Sequence, residues 1–118
     1  ETDGPARDIT VRFRAFDTGI GFRYELREQP GLEGDIAIVE ELTQFGVGDK
    51  TTMWYTPSDE FNRKEYIYRV APAGEVDDAH TPSTFRTPGG IHMAIHEAAL
   101  VDYSSMSLDQ LRPGNFQA

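Results

Sequence analysis

The sequence predicts an all-β fold, an antiparallel β-sandwich or part of one, on three observations. Apolar and polar residues alternate with a period of two over positions 9–26. About six or seven short extended segments follow one another with turn residues between them. Outside one ambiguous stretch, 91–103, the chain has no convincing amphipathic helix.

The first segment is the clearest. Ile9, Val11, Phe13 and Ala15 alternate with Thr10, Arg12, Arg14 and Phe16; beyond Asp17-Thr18-Gly19, Ile20, Phe22, Tyr24 and Leu26 alternate with Gly21, Arg23, Glu25 and Arg27. Two such runs joined by a short turn containing glycine predict a β-hairpin with one buried and one charged face. On the charged face, cross-strand pairing of the arginines with Glu25 is expected. Pro30-Gly31 marks a loop over 29–34. The run Ile36-Ala-Ile-Val39 predicts a strand that kinks and continues to Phe45, and 46–50 predicts a turn. Residues 51–56 have the β-branched and aromatic composition of a strand. The charged stretch 57–63 reads as a loop, and 65–70 as a strand with Tyr66 and Tyr68 on one face. Residues 71–90 read as long and irregular, with extended structure around 83–85. After Tyr103 comes a polar tail containing Pro113-Gly114 and no clear periodicity.

Composition narrows the function classes. The 118 residues suit one domain or part of one, and 38% hydrophobic with 11% aromatic residues argue against disorder. A formal charge of −9 opposes binding to nucleic acid or to anionic membranes. The absence of cysteine removes thiol catalysis, thiolate metal sites and disulfides. No apolar run approaches the ~18 residues of a membrane span. The sequence opens Glu1-Thr-Asp-Gly-Pro5 without a methionine, which reads as a removed leader or an excised piece of a longer chain.

Residues 91–103 concentrate the candidate chemistry. On a helix, His92 and His96 would share a face and suit a zinc ion; the zincin pattern, however, puts glutamate directly after the first histidine, where this chain has Met93. On a strand the two point the same way but stand roughly 13 Å apart, too far for one metal. The Pro88-Gly89-Gly90 turn just before and the strands elsewhere favour a strand. Glu97 then shares a face with Ile91, Met93, Ile95 and Ala99. Either it is paired, hydrogen-bonded or cation-bound there, or the strand has left the core and the carboxylate is solvated. Asp59/Glu60 and Asp77/Asp78 read as solvated turns among 20 acidic residues. There is no G-x-S-x-G, and His80 near Ser83 is too generic to signal a nucleophile. Trp54, Tyr55, Tyr66 and Tyr68 suit either a sugar-stacking platform, as in a stand-alone carbohydrate-binding module, or a core, the commoner place for strand aromatics.

Two of these runs resemble motifs of glycoside hydrolase family 97. Residues 11–25, Val-Arg-Phe-Arg-Ala-Phe-Asp-Thr-Gly-Ile-Gly-Phe-Arg-Tyr-Glu, are similar to that family's first hairpin. Residues 91–106, Ile-His-Met-Ala-Ile-His-Glu-Ala-Ala-Leu-Val-Asp-Tyr-Ser-Ser-Met, are similar to a later segment built around Glu-Ala and Asp-Tyr. Trp54-Tyr55 and Thr81-Pro82 fit the spacing between them, so the resemblance covers residues 8 to 108. It implies a calcium-dependent glycosidase of the α-glucosidase or α-galactosidase type, bacterial and periplasmic or otherwise exported. Within it, residues 1–118 would be a single partial domain, the later portion of a galactose-mutarotase-like N-terminal β-super-sandwich. That domain would be non-catalytic and pack against a (β/α)8 barrel that acts on the carbohydrate substrate. By the resemblance Glu97 matches the glutamate that reaches the active-site calcium, the other ligands coming from the barrel; the histidines acquire no role. A domain lacking its first strands would expose sheet edges, which predicts a homodimer through them.

Overall fold

The period-2 runs over 9–26 fold back on each other as β1 (Thr10–Phe16) and β2 (Gly19–Glu25). This is a computed structural model, and it describes residues 7–60 and 62–118. Position 61 of the expected loop 57–63 and the opening pentapeptide lie outside the described residues. The chain divides into two compact units, Glu1–Val39 and Glu40–Ala118.

In the first unit the antiparallel register sets Val11 opposite Tyr24, Phe13 opposite Phe22 and Ala15 opposite Ile20, so one face is wholly apolar. The Phe13 and Phe22 rings lie 5.9 Å apart, and Tyr24 meets Phe22 edge-on. On the other face Arg12 stands opposite Arg23. Glu25 joins both, its carboxylate accepting from Arg12 at 2.7 Å and from Arg23 at 2.5 Å. That is the pairing the alternation predicts. The expected burial is not found: Phe13 is 70% exposed, and Ile20 is exposed with it. Two strands form a layer but not a core, which needs a second layer. The strand expected over 36–39 is absent too, and Ile36, Ile38 and Val39 are exposed. Their β-branched composition favours extended backbone, but a strand also needs a neighbour to pair with.

The second unit is a sandwich of two four-stranded antiparallel sheets. One has the order β3 (Gln44–Gly46), β10 (Asn115–Gln117), β9 (Ser107–Arg112), β6 (Asp78–His80). The other has the order β5 (Arg69–Pro72), β4 (Thr52–Tyr55), β7 (Ser83–Arg86), β8 (His92–Ile95). Register aligns Ala71, Met53, Phe85 and Met93 in one row across the second sheet. This row faces Phe116, Leu108 and Ala79 of the first sheet, and together with Tyr55, Ala73 and Val76 they make the core.

Several boundaries differ from the sequence expectation. Strand β5 begins at Arg69 rather than 65, so its core-facing residue is Ala71 and not a tyrosine. Pro72 is tolerated because β5 is an edge strand. The "polar tail" is the hairpin β9–β10, whose Leu108 and Phe116 are fully buried. A 3₁₀ turn at Ala73–Glu75 gives shape to the irregular 71–90 region. It is braced by the Gln110 amide, which donates to the carbonyls of Ala73 at 2.7 Å and Val76 at 2.8 Å.

Candidate functional site

Glu97 stands two residues beyond the end of β8, on the side of Met93 and Ile95, and all three are half-buried. The expected alternation therefore reaches Glu97 and stops there: Ile91 and Ala99 on the same parity are exposed. Of the two readings open at the sequence level, the hydrogen-bonded one is realised. The Met106 amide donates to Glu97 Oε1 at 2.8 Å. A carboxylate has four lone-pair sites, so that bond orients the group without saturating it. The main chain of Glu97 is held as well, its carbonyl accepting at 2.9 Å from His96 Nδ1, which must therefore carry the proton. The intervening stretch 98–105 contains Asp102 at φ 51° and is tied at Tyr103, whose hydroxyl donates to Glu41 at 3.1 Å.

The histidines do not make a metal pair. His92 lies on β8 and His96 just past it, both exposed, so the helical spacing a shared zinc needs is not formed. Among the described residues no three His, Asp or Glu side chains converge as a metal-binding group. Calcium takes about six to eight oxygens, so Glu97 fits that ion as one contributor and not as a complete site.

The aromatic candidates separate. Alternation along β4 sends Tyr55 into the core and Trp54 outward, where the Arg86 guanidinium sits 5.8 Å from its ring. Tyr68 is exposed, and the Tyr66 ring lies tilted beside that of the buried His80, 6.3 Å between ring centres. The Tyr66 hydroxyl has no hydrogen-bond partner among the described residues, and desolvation first, then the charge of Glu60, pushes it above the ordinary phenol range.

Two polar residues have structural roles that the sequence reading missed. Asp78 is not a solvated turn: it lies on β6 and accepts from the Ser58 amide and, at 2.9 Å, from the Ser58 hydroxyl. His80 Nε2 donates to the Arg63 carbonyl at 2.9 Å. Together they tie Ser58 and Arg63 to the sandwich. Both bonds span 17 or more residues, a separation at which no local pattern announces a contact.

The described residues thus define a class: an antiparallel β-sandwich with a half-buried carboxylate, Glu97, held by one backbone amide just beyond the end of an edge strand. The chain belongs to the glycosyl-hydrolase 97 N-terminal family, which it matches over residues 1–117. It is similar to the solved structure of a glycoside hydrolase family 97 enzyme from Pseudoalteromonas sp. strain K8 in complex with acarbose, at 50% identity and a TM-score of 0.86. A variant enzyme from the same strain, in complex with panose, matches at 50% identity and a TM-score of 0.85. In each case the match covers 92% of this chain and 17% of the solved one. No helix among the described residues is long and apolar enough to cross a membrane.

Proposed function

We propose that this chain acts as the non-catalytic N-terminal sandwich of a bacterial enzyme, periplasmic or otherwise exported, that hydrolyses α-glycosidic bonds with calcium assistance. In this reading Glu97 supplies one carboxylate to a calcium ion whose other ligands come from the catalytic barrel, so the ion joins the two domains at the active site. The observation that carries it is the Glu97 carboxylate itself: half-buried at a strand end, held through Oε1 by Met106, with coordination capacity left over. The complexes of the relatives with acarbose and panose support an α-linked glucoside as the substrate class.

The decisive experiment is a calorimetric calcium titration of the full-length enzyme carrying this domain. Glu97→Gln, which keeps shape and removes charge, is expected to weaken calcium binding at least about tenfold. Unchanged affinity would remove Glu97 from the site. The isolated chain is expected to bind calcium only weakly and to show no turnover of nitrophenyl α-glucoside. The strands β3, β6, β5 and β8 are sheet edges among the described residues, which supports self-association into a homodimer. A monomer by light scattering at high concentration would contradict that part.

A further inference from the structure

The residue whose amide holds Glu97 is itself held, through its carbonyl, from another part of the fold. Strands β6 and β9 pair His80 with Ser107 as the last rung of their ladder. One residue further, the ladder is continued by a side chain: the Thr81 hydroxyl donates to the Met106 carbonyl at 3.0 Å. Met106 thus receives a bond at its carbonyl from Thr81 and gives one through its amide to Glu97 Oε1. Its own side chain is half-buried against the core.

Thr81 is well placed for this. The preceding His80 is buried, and its amide donates to the Thr56 carbonyl at 2.8 Å. Ser83, fully buried, returns a hydroxyl hydrogen bond to the His80 carbonyl at 2.8 Å. Thr81 is therefore carried between two fixed points, whereas Met106 lies outside any strand and depends on its side-chain partners.

We infer that Thr81 is a positioning residue for the Glu97 carboxylate. Its hydroxyl fixes the Met106 backbone, the Met106 amide fixes Oε1, and the remaining coordination capacity of Glu97 is thereby aimed in one direction. The inference rests on the reading of Glu97 as a calcium ligand and adds a residue that touches neither the ion nor the carboxylate. Outer partners of this kind typically change metal affinity by about 10–100-fold when removed.

Two measurements test it. In the full-length enzyme, calorimetric calcium titration of Thr81→Val, which keeps the shape and deletes the hydroxyl, should show about tenfold weaker binding. Thr81→Ser should restore it. In this chain without metal, hydrogen exchange at the Met106 amide should be faster in Thr81→Val, by up to about tenfold, and near wild type in Thr81→Ser. Wild-type affinity in Thr81→Val alongside weakened binding in Glu97→Gln would overturn the positioning role and leave the ligand reading intact. Wild-type affinity in both would overturn both. If Thr81→Ser binds as weakly as Thr81→Val, the methyl group matters rather than the hydroxyl, and the inference fails.

Discussion

Phe13 and Phe85 are the same side chain on the same kind of strand, yet Phe13 is 70% exposed and Phe85 0%. The hairpin around Phe13 has the cleaner alternation in its sequence; the sandwich around Phe85 has strands of three to six residues broken by loops. Pattern quality and burial therefore part company. A period of two says which side chains share a face. Whether that face is covered depends on a second layer; the sandwich unit supplies its own, while the two strands of the hairpin supply only one. The hairpin relies on cross-strand pairs such as Phe13–Phe22 and Arg12–Glu25.

Matched substitutions put this contrast to the test. Phe85→Ala is expected to destabilise the sandwich by about 3–5 kcal/mol in urea unfolding, through lost transfer energy plus the cavity left between the sheets. Phe13→Ala is expected to cost under about 1 kcal/mol, the worth of one cross-strand pair. Similar losses at both sites would break the comparison. Glycines give a second matched pair. At Gly114, φ is +70° and an added Cβ would stand 2.3 Å from the backbone of Gly48 and Asp49. Its carbonyl also accepts from the amides of Val47 and Gly48. Gly114→Ala should cost about 2–4 kcal/mol by combining left-handed strain with a backbone clash. At Gly21 in the hairpin the nearest atom to such a Cβ is on the Phe16 ring at 3.9 Å, so Gly21→Ala should be close to neutral by the same assay.

Next in size are two glutamines that brace backbone carbonyls. Gln110 holds the 3₁₀ turn beside the fully buried Ala73 and Val76, and Gln110→Leu should cost about 1–3 kcal/mol by taking the amide donor from both carbonyls, Ala73 keeping only the 3.4 Å bond from the Val76 amide. Gln29 does the same for the Asp8 and Arg27 carbonyls of the hairpin unit, at 2.8 and 3.2 Å, where water can replace it. Gln29→Leu should therefore cost less, and a larger loss there would reverse the contrast.

What was legible follows from the range of each interaction. The β1–β2 register, the Glu25 pairing and strand β4 were readable because alternation and turn chemistry act within a few residues. The placement of Glu97 was readable as far as its face, since parity along β8 carries it to the side of Met93 and Ile95. Its partner was not, because the Met106 amide comes from a segment nine residues on and follows no periodic rule. Hairpin β9–β10 was missed although Pro113-Gly114 stood between Leu111 and Phe116. Its polar positions are there for specific tasks, with Gln110 bracing a turn and Asn115 bonded to Gln44. The run 36–39 misled in the other direction, being strand-like in composition with no strand beside it.

A small effect is also expected on the charged face of the hairpin. Arg12 and Arg23 face each other across the strands, and Glu25 is the counter-charge between them. Hydrogen bonds from Arg12 first and Arg23 second hold the Glu25 carboxyl below the ordinary carboxylate range, and Glu25 in turn raises Arg12. A group depressed on folding contributes stability that is fully present above its unfolded pKa and lost as pH falls through the lower folded value. The hairpin amides should therefore shift by NMR as the solution is acidified below the normal glutamate range, when two guanidinium groups are left opposed. Added salt should blunt the change, because both guanidinium groups are exposed to solvent and Glu25 is only half-buried. Glu25→Gln should abolish the transition in β1 and β2 while leaving the amides of β4 and β7 as in wild type. An acid transition that persists in Glu25→Gln would belong to another carboxylate, and the hairpin would then owe its charged-face order to pairs other than these two.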